Sequence, residues 1–303
     1  MKHVQHIATI SEYNATVEHT TLHPLVSVIN LSECKKRGRN VAVEALSFGF
    51  YAVFLKDDKN CEIRYGRNYY DYQEGTLVFI APGQVVSIAS DDIDYQPSGH
   101  VLIFHPDLIR GTSLGQGMKD YSFFSYDVHE ALHLSEQEKE IVLQCFRKIQ
   151  LETGHAIDKH SKKLIVANIE LFLNYCVRFY DRQFITRDHA NTGTVEQFEQ
   201  LLDDYLHSAS LPETGIPSVA YFANALHLSP NYFGDLLKKE TGKTALEFIH
   251  AKLTGLAKEK ICNPSKTISE VAYELGFKYP QHFTRFFKQQ VGTTPNDYRS
   301  TLN

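Results

Sequence analysis

The chain has 303 residues, of which 43% are hydrophobic and 22% charged, and its formal net charge is −5 at pH 7. This composition is typical of a globular protein, and the length exceeds what one hydrophobic core needs, so two domains are predicted. No run of about 18 apolar residues is present, and the N-terminal segment lacks the apolar stretch of a signal peptide, so we expect neither a membrane-spanning nor an exported protein.

Charge is distributed unevenly along the chain. From Thr214 onward there are 11 Lys and Arg residues against 7 Asp and Glu residues, a balance of +4, whereas the preceding part holds 20 basic and 29 acidic residues. Because nucleic acids are polyanions, the C-terminal third is the part that could approach them. A balance of +4 is modest, so the function has to be argued from the residue pattern.

The five cysteines are scattered and include no CxxC pair: Cys34, Cys61, Cys145, Cys176 and Cys262. An odd number at irregular spacing indicates thiols that fill small apolar spaces in a reducing compartment. The sequence therefore predicts a cytoplasmic protein with neither a disulfide framework nor a zinc site.

Short strands are predicted up to about Asp127. The strand segments are rich in Val, Ile, Phe and Tyr and are separated by Gly, Pro and Asp; they read VAVEALSFGFYAVFLK, CEIRYG, GTLVFIAPG, QVVSIAS and HVLIFHP. Such segments with turn residues between them are typical of β-strands. Many short strands at this spacing favour a small β-barrel or a sandwich.

The pattern changes at Ser135. Ser135 and Glu138 match a capping box, and apolar residues follow at helical spacing, so a helix is predicted to begin there. A second helix, SKKLIVANIELFLNYCVRFYDR, is apolar on more than one face and has to be covered by its own domain or by another subunit. The polar stretch after it, residues 188–194, is predicted to be an interdomain linker.

Everything after this linker is predicted to be helical. Capping boxes, which satisfy two backbone N–H groups reciprocally, occur at Thr194 with Gln197, Thr244 with Glu247 and Thr267 with Glu270. A hydroxyl residue precedes a proline suited to the first helical position at Ser229-Pro230 and Thr294-Pro295. The predicted helices lie near 195–207, 217–225, 230–240, 244–262, 268–275, 280–290 and 295–301.

This helical region contains an internal repeat. Residues match 50 positions apart at Phe233 and Phe283, Lys238 and Lys288, Gly242 and Gly292, Thr244 and Thr294, and Phe248 and Tyr298. Ala223 matches Ala272 at a separation of 49, so the second copy has one extra residue in its turn. A short helix with a small residue, a tight turn and a second helix with an apolar back form the helix-turn-helix pattern.

The second helix of the C-terminal copy has a polar outer face. Helical spacing places Phe283, Phe286 and Phe287 inward. It leaves outward the polar residues Gln281, His282, Arg285 and Lys288. Glutamine and arginine form bidentate hydrogen bonds with adenine and guanine edges in the major groove, each discriminating by about 1–3 kcal/mol. These four residues are therefore predicted to contact DNA.

The outer face of the second helix in the first copy is less suited to DNA binding. Its predicted inner residues are Tyr232, Phe233, Leu236 and Leu237, and its predicted outer residues are Asn231, Gly234, Asp235 and Lys238. Phosphates repel a carboxylate, so Asp235 contacts DNA favourably only where it accepts a hydrogen bond from a cytosine amino group. Asn231, Asp235 and Lys238 complete the predicted DNA-binding set, and this copy is expected mainly to position the protein.

The two copies are joined by one long helix. From Thr244 to Cys262 it has 19 residues and a length of about 28 Å. Recognition helices held that far apart can enter major grooves about one helical turn, roughly 34 Å, apart. A single chain is therefore expected to read two half-sites on one face of a duplex.

An ordered set of motifs ends the chain: Ala272, Gly276-Phe277, Phe283 to Lys288, Gly292, Pro295 and Tyr298-Arg299. In this order and spacing, residues 195–303 resemble the DNA-binding domain of the AraC/XylS family of bacterial transcription regulators. The resemblance implies that Asn231, Gln281 and Arg285 read bases and that Lys238 and Lys288 contact phosphates. The chain departs from the usual family residues at Lys252, Lys260, Gly234 and Asp235.

The segment GTLVFIAPGQ, from Gly75 to Gln84, resembles the second strand motif of cupin barrels, as regulatory domains of this family often do. A metal-dependent cupin enzyme needs a His-x-His pair with a following Glu, and a later His after the Pro-Gly turn. The strand before Gly66 has no His pair, and Val85-Val86 stand where the later His would be. Isolated histidines, expected to be structural or exposed, are His23, His100 and His105. Neither a metal, a cofactor nor a catalytic residue is predicted.

These observations predict an α+β chain. Residues 1–187 are expected to form a cupin-like β-barrel with a helical pair from about 135, and residues 195–303 an all-α tandem helix-turn-helix domain. The predicted function is regulation of transcription by DNA binding, and the family resemblance implies activation of nearby genes. The N-terminal domain is expected to bind an effector, to form a homodimer, or both. Double-stranded DNA is the expected partner, a sugar is one candidate effector, and RNA polymerase is a further candidate partner. The alternatives are a cupin-fold enzyme with a helical appendage and a dimerising regulator without an effector.

Overall fold

The computed structural model describes residues 4–34, 44–56, 62–64, 75–89, 98–126, 130–186 and 188–301. The chain divides into two compact units, Met1–Thr186 and Arg187–Asn303. Each unit has a hydrophobic core of its own. Within the described ranges, no helix combines the length and the apolar character needed to cross a lipid bilayer.

The first unit contains two β-sheets. In chain order the described strands are β1 (Val4–Ile7), β2 (Val26–Asn30), β3 (Glu44–Phe48), β4 (Tyr51–Lys56), β5 (Glu62–Arg64), β6 (Thr76–Ile80), β7 (Val85–Ala89), β8 (Gly99–Phe104) and β9 (Leu132–His133). One sheet has the order β1-β3-β7-β5 and the other the order β2-β8-β4-β6-β9. β1 and β3 are parallel, and the other pairs are antiparallel.

Both sheets contribute to one core. Phe48 and Val86 come from the first sheet and Ile29 and Val101 from the second, and all four are buried in a single cluster. Alternation of side chains along each strand is what allows one face of each sheet to enter such a core. The described strands of one sheet form no hydrogen-bonded ladder with those of the other. The described part of the N-terminal unit is therefore sheet-rich, as predicted, but it shows no closed barrel.

Every predicted strand segment contains a strand, and the longest contains two, β3 and β4, with Gly49 and Phe50 between them. The short strands β1, β2 and β9 lie outside the predicted segments. So does helix α1 (Ile10–Thr16), which begins with a capping box formed by Thr9 and Glu12. That T-x-x-E pattern is a signal that would have located α1 from the sequence.

The other helices of the first unit are α2 (Pro106–Ile109), α3 (Ser113–Gly117), α4 (Glu136–Gly154) and α5 (Ser161–Thr186), and single 3₁₀ turns occur at Leu31–Glu33, Met118–Asp120 and Ser122–Ser125. The capping box predicted at Ser135 and Glu138 is confirmed at the start of α4. Glu138 also accepts hydrogen bonds from Arg182 of α5, the shorter at 2.7 Å, so the same carboxylate ties the two helices together.

Cysteines and histidines of this unit have structural roles. Cys145 and Cys176 are buried fillers in the helical pair, as predicted, and burial raises the pKa of both thiols. His23 accepts a hydrogen bond from the Leu25 N–H at 3.1 Å, and His105 accepts one from the Asp107 N–H at 3.2 Å at the start of α2. Elsewhere in the chain Cys262 is exposed, whereas Cys61 lies outside the described residues.

The second unit is built from helices: α6 (Asp188–Leu206), α7 (Leu211–Thr214), α8 (Val219–Ala225), α9 (Pro230–Thr241), α10 (Ala245–Ile261), α11 (Ile268–Glu274), α12 (Pro280–Val291) and α13 (Pro295–Ser300). The six helices from α8 onward coincide with predicted helices to within two residues at each end. α7 was not predicted, because it is a single turn with no periodic pattern.

Residues 188–194 are helical. They were predicted to be an interdomain linker, with a helix beginning near 195 and a capping box at Thr194, but α6 begins at Asp188 and runs through them. Polar composition lowers the burial expected for a segment, but without a proline it does not prevent helix formation. Thr194 consequently lies inside α6 and is not its N-cap.

Candidate nucleic-acid interface

The first helix-turn-helix unit consists of α8 and α9. Ser218 and Ser229 cap the two helices, each accepting a hydrogen bond at 3.2 Å from the backbone N–H three residues later. Between the helices, His227 adopts a left-handed conformation with φ of 57°, and the Leu228 N–H donates to the Ala223 carbonyl at 2.9 Å. Ala223 is fully buried, which is consistent with a small residue where two helices cross.

The second unit, α11 and α12, repeats this turn. Gly276 adopts φ of 78°, and the Phe277 N–H donates to the Ala272 carbonyl at 3.0 Å. Ala272 is also fully buried. The backbone geometry thus confirms the repeat and the separation of 49 at this alanine. The extra residue follows the turn: Tyr279 precedes Pro280 without a side-chain cap, where Ser229 caps the first copy.

On α12 the inner and outer faces separate as predicted. Phe283 and Phe287 are fully buried, and Phe286 is half-buried against the rings of His250 and Phe277, with centroids 5.2 and 5.4 Å away. The residues predicted to point outward are all exposed: Gln281, His282, Arg285 and Lys288. The His282 ring packs edge-on against exposed Tyr279 at 5.4 Å.

The polar groups on this face are available to a ligand. Among the described residues, Gln281, Arg285 and Lys288 form no ion pair and no side-chain hydrogen bond. A solvent-facing guanidinium can form two parallel hydrogen bonds with a guanine edge without first breaking an ion pair. The α12 face therefore has the chemistry of a base-reading surface.

The first copy is organised in the same way but has fewer free groups. Its predicted inner residues Tyr232, Phe233, Leu236 and Leu237 are all buried. Asn231 and Lys238 are exposed, whereas Asp235 is half-buried and interacts with other residues of the chain. Gly234 leaves open space where a Cβ would stand. Relative to α12, this face offers less side-chain reach toward a base.

One helix and one core join both copies. α10 has 17 residues, a length of about 26 Å. Its buried face includes Ile249, Leu253 and Ala257, which belong to a continuous cluster reaching Phe233 in the first copy and Phe283 in the second. Because interiors are closely packed, the same core holds both second helices, α9 and α12.

Two residues that depart from the family pattern form ion pairs. Lys252 contacts Asp203 at 3.1 Å, and Lys260 contacts Glu274 at 2.8 Å. Lys266 contacts the same Glu274 carboxylate. Hydrogen bonds from Lys260 and then Lys266 lower the pKa of Glu274 below its ordinary value. Lys252 and Lys260 therefore connect α10 to α6 and to α11.

Two supporting contacts were not predicted from the sequence. The Tyr205 hydroxyl donates to the Gly215 carbonyl at 3.1 Å, which fixes the turn after α7. The Arg299 side chain donates from Nε to the Ile261 carbonyl at 2.8 Å and so satisfies the C-terminal end of α10. A Gly-x-Pro sequence at Gly215 marked this turn, but no local pattern could reveal the contact of Arg299, which is 38 residues distant.

Comparisons with known proteins match this region. A family model described as a helix-turn-helix domain matches residues 222–301. The TetD protein of transposon Tn10 from Escherichia coli is 38% identical over 143 residues, which are 47% of this chain and 91% of TetD. The regulatory protein PocR of Salmonella typhimurium is 32% identical over 27% of each chain. The C-terminal domain of AraT, a response regulator from Geobacillus stearothermophilus, overlaps 36% of this chain and 84% of that domain, with 24% identity and a TM-score of 0.32.

The chain spans about half or less of several relatives. Its matches cover 14%, 48% and 54% of three Bacillus subtilis proteins named as uncharacterized HTH-type regulators. The tandem units with a shared core define a helix-turn-helix protein. The chain belongs to the AraC/XylS family of transcription regulators, which confirms the resemblance carried by the motifs from Ala272 to Arg299.

Proposed function

We propose that the chain is a sequence-specific DNA-binding transcription regulator that reads two adjacent major grooves through its helix-turn-helix units. The proposal rests on the face of α12, where Gln281 and Arg285 are exposed and have no ion pair with any residue that the structure describes, above a buried Phe283 and Phe287. Family membership favours this function over a cupin-fold enzyme. Cytoplasmic location and activation of transcription, with RNA polymerase as a partner, are parts of the same proposal.

The roles of the seven residues follow from chemistry and position. Gln281 and Arg285 read base edges, His282 and Asn231 add contacts at the start of each recognition helix, and Asp235 accepts from a cytosine. Lys238 and Lys288, in the last turn of α9 and α12, contact phosphates, which fix position without reading sequence.

The test compares two cations on one helix. Arg285→Ala is expected to weaken binding to the selected operator and to relax preference at one base position by about 1–3 kcal/mol. Lys288→Ala is expected to weaken binding to all DNA sequences alike. It is also expected to reduce the slope of log K against the logarithm of the salt concentration by about one. The operator is first selected from random DNA, and affinities are then measured by fluorescence anisotropy. Equal losses on selected and random DNA for Arg285→Ala would refute its role as a base reader.

For the N-terminal unit we propose a cupin-like arrangement of the two sheets that binds a small-molecule effector, such as a sugar, and forms a homodimer. Support for dimerisation comes from α5, where Leu164 and Leu171, seven residues apart, are 45% and 41% exposed. Apolar residues at this spacing form a stripe that a second helix can cover. Leu171→Glu is expected to shift the sedimentation coefficient of the full chain toward that of a monomer. A metabolite screen by thermal shift tests the effector, because a ligand of the folded state raises the unfolding temperature.

A further inference from the structure

A groove of about 430 Å³ lies along the outer side of α10, next to the C-terminal end of α6. Its apolar lining is formed by Leu206, Phe248, Ala251, Gly255 and Leu256, and its polar lining by Asp203, His207, Lys243, Lys252 and Glu259. None of the seven residues proposed to contact DNA lines it. The groove is therefore a surface that DNA recognition leaves unexplained.

One face of α10 lines the groove. Phe248, Ala251, Gly255 and Glu259 recur every three or four residues and so form one stripe along α10. Ala251 and Gly255 are exposed, and a Cβ on Gly255 would meet no atom within 4 Å. The half-buried Phe248 ring lies beside these two small residues. A second helix could therefore approach closely at the small residues while the aromatic ring packs against it.

Charge is arranged with opposite signs at the two ends. Lys243 precedes the N-cap of α10, and Glu259 lies in the last turn of that helix. Both are exposed, and neither forms an ion pair with another described residue. Between them, Asp203 neutralises Lys252. The groove is therefore complementary to a helix that presents an acidic group at one end and a basic group at the other.

We propose that a second copy of this chain occupies the groove, with its α10 antiparallel to the first. In a two-fold pair the same surface serves both partners, so the stripe must complement itself. If the two-fold axis passes between Ala251 and Lys252, Phe248 lies over Gly255 of the second copy. Glu259 then lies close to Lys243 of the second copy. One aromatic contact and one ion pair are thus each made twice.

The contact is small and does not depend on the DNA-binding role. Two helices of 17 residues form an interface at the low end of specific interfaces, so the association is expected to be weak and to need concentrated protein. A partner of unrelated sequence would have no reason to match both the order of the charges and the position of the small residues. The self-complementary order favours a second copy over other occupants.

The test uses a cysteine near the two-fold axis. In the full chain, Ala251→Cys is introduced after Cys34, Cys61 and Cys262 are replaced by Ser, which leaves only the buried Cys145 and Cys176. A short bis-maleimide is expected to cross-link position 251 between copies in the absence of DNA. Gln197→Cys, an exposed site on α6 that does not line the groove, is the control for random collision.

Charge reversal then tests the pairing. In the Ala251→Cys background, Lys243→Glu alone or Glu259→Lys alone places like charges together twice, and cross-linking is expected to fall about tenfold. An equal mixture of the two variants makes both pairs complementary and is expected to restore it. These are exposed sites, so the fold is retained, and circular dichroism checks this.

The inference would be overturned if cross-linking at position 251 did not exceed that of the control at position 197. It would also be overturned if charge reversal left the yield of cross-linking at position 251 unchanged. Unchanged cross-linking at position 251 in charge-reversal variants that lose only transcription with purified RNA polymerase would also overturn it, because the polymerase would then be the occupant of the groove. DNA affinity measured on the same preparations tests the proposed function separately.

Discussion

Two residues at equivalent turns adopt the left-handed conformation, but only one of them is glycine. Gly276 has φ of 78°, and a Cβ there would stand 2.8 Å from the Leu211 carbonyl oxygen and 3.0 Å from Gly215 Cα. His227 has φ of 57° and is exposed. We expect Gly276→Ala to lower the free energy of unfolding by more than about 1 kcal/mol, because it adds both backbone strain and a steric clash.

His227→Gly is the matched variant. It removes the strain of a left-handed side-chain residue and is expected to change the free energy of unfolding by less than about 1 kcal/mol, with stabilisation opposed by the extra entropy of the unfolded chain. Urea unfolding of the full chain measures both. Equal destabilisation by the two substitutions would show that the close approach of the Leu211 carbonyl to Gly276 does not matter.

Glu274 is expected to make stability depend on pH. Hydrogen bonds from Lys260 and then Lys266 lower its pKa in the folded state from the ordinary value of 4.5. A carboxyl whose pKa is lowered on folding contributes stability that is fully present above its unfolded pKa and lost as the pH falls through the folded one. Glu274→Gln is therefore expected to lower the free energy of unfolding at pH 7. At a pH below the folded-state pKa of Glu274, its free energy of unfolding is expected to equal that of the parent chain.

Urea midpoints measured from pH 7 to pH 3 check this expectation. Because the carboxyl is one-third exposed, solvent screens the interaction, and the effect at pH 7 is expected to be small. Glu196→Gln, on the exposed surface of α6, controls for loss of a negative charge. A difference between Glu274→Gln and the parent that persists unchanged at pH 3 would contradict the assignment.

Local sequence signals predicted the helices whose bounds depend on local interactions. α9 and α12 were located by a proline at the first turn and by apolar residues at helical spacing, and both end at a left-handed glycine, Gly242 or Gly292. Their inner and outer faces followed from the same spacing, so the positions of the candidate DNA-binding residues could be predicted.

Elements fixed by distant contacts could not be predicted. The order β2-β8-β4-β6-β9 depends on ladders between strands far apart in sequence, and a local pattern does not encode which strands pair. α7 is a single turn whose Leu211 is buried in the core of the second unit. α6 extends to Asp188 through polar residues that carry no apolar period. For the strand order and for α7, tertiary contacts decided the structure.

Thr267 and Glu270 cap the N-terminus of α11 reciprocally. The Thr267 hydroxyl accepts a hydrogen bond from the Glu270 N–H at 3.1 Å, and the Glu270 carboxylate accepts one from the Thr267 N–H at 2.7 Å. Thr267→Ala leaves backbone donors of a seven-residue helix unsatisfied and is expected to cost about 1 kcal/mol in the free energy of unfolding. Thr267→Ser keeps the hydroxyl and is expected to retain most of the stability in the same urea experiment. A loss with Ser as large as with Ala would assign the effect to the methyl group.

For the whole molecule, the continuous core of the second unit limits which DNA it can bind. Apolar residues from Phe198 to Phe287 form one cluster through α10, so the distance between the two recognition helices is fixed to within the flexibility of a packed interior. Half-sites are then expected to bind the chain together only at a separation of about one helical turn, 10–10.5 base pairs. A rigid pair cannot follow a half-site that is rotated to the other side of the duplex.

Operators with altered spacing test this rigidity. Insertion of about 5 base pairs, half a turn, between the half-sites selected for the chain should reduce its affinity to that of a single half-site. Mutation of the half-site contacted by Arg285 should strongly reduce the affinity of the intact operator. It should reduce the affinity of the operator with the insertion in the same proportion only if the second helix-turn-helix unit supplies most of the base contacts. Anisotropy titrations at one fixed salt concentration measure both, since phosphate contacts make affinity depend on salt. Unchanged affinity after the insertion would mean that the two helix-turn-helix units separate despite their common core, or that one unit alone holds the DNA.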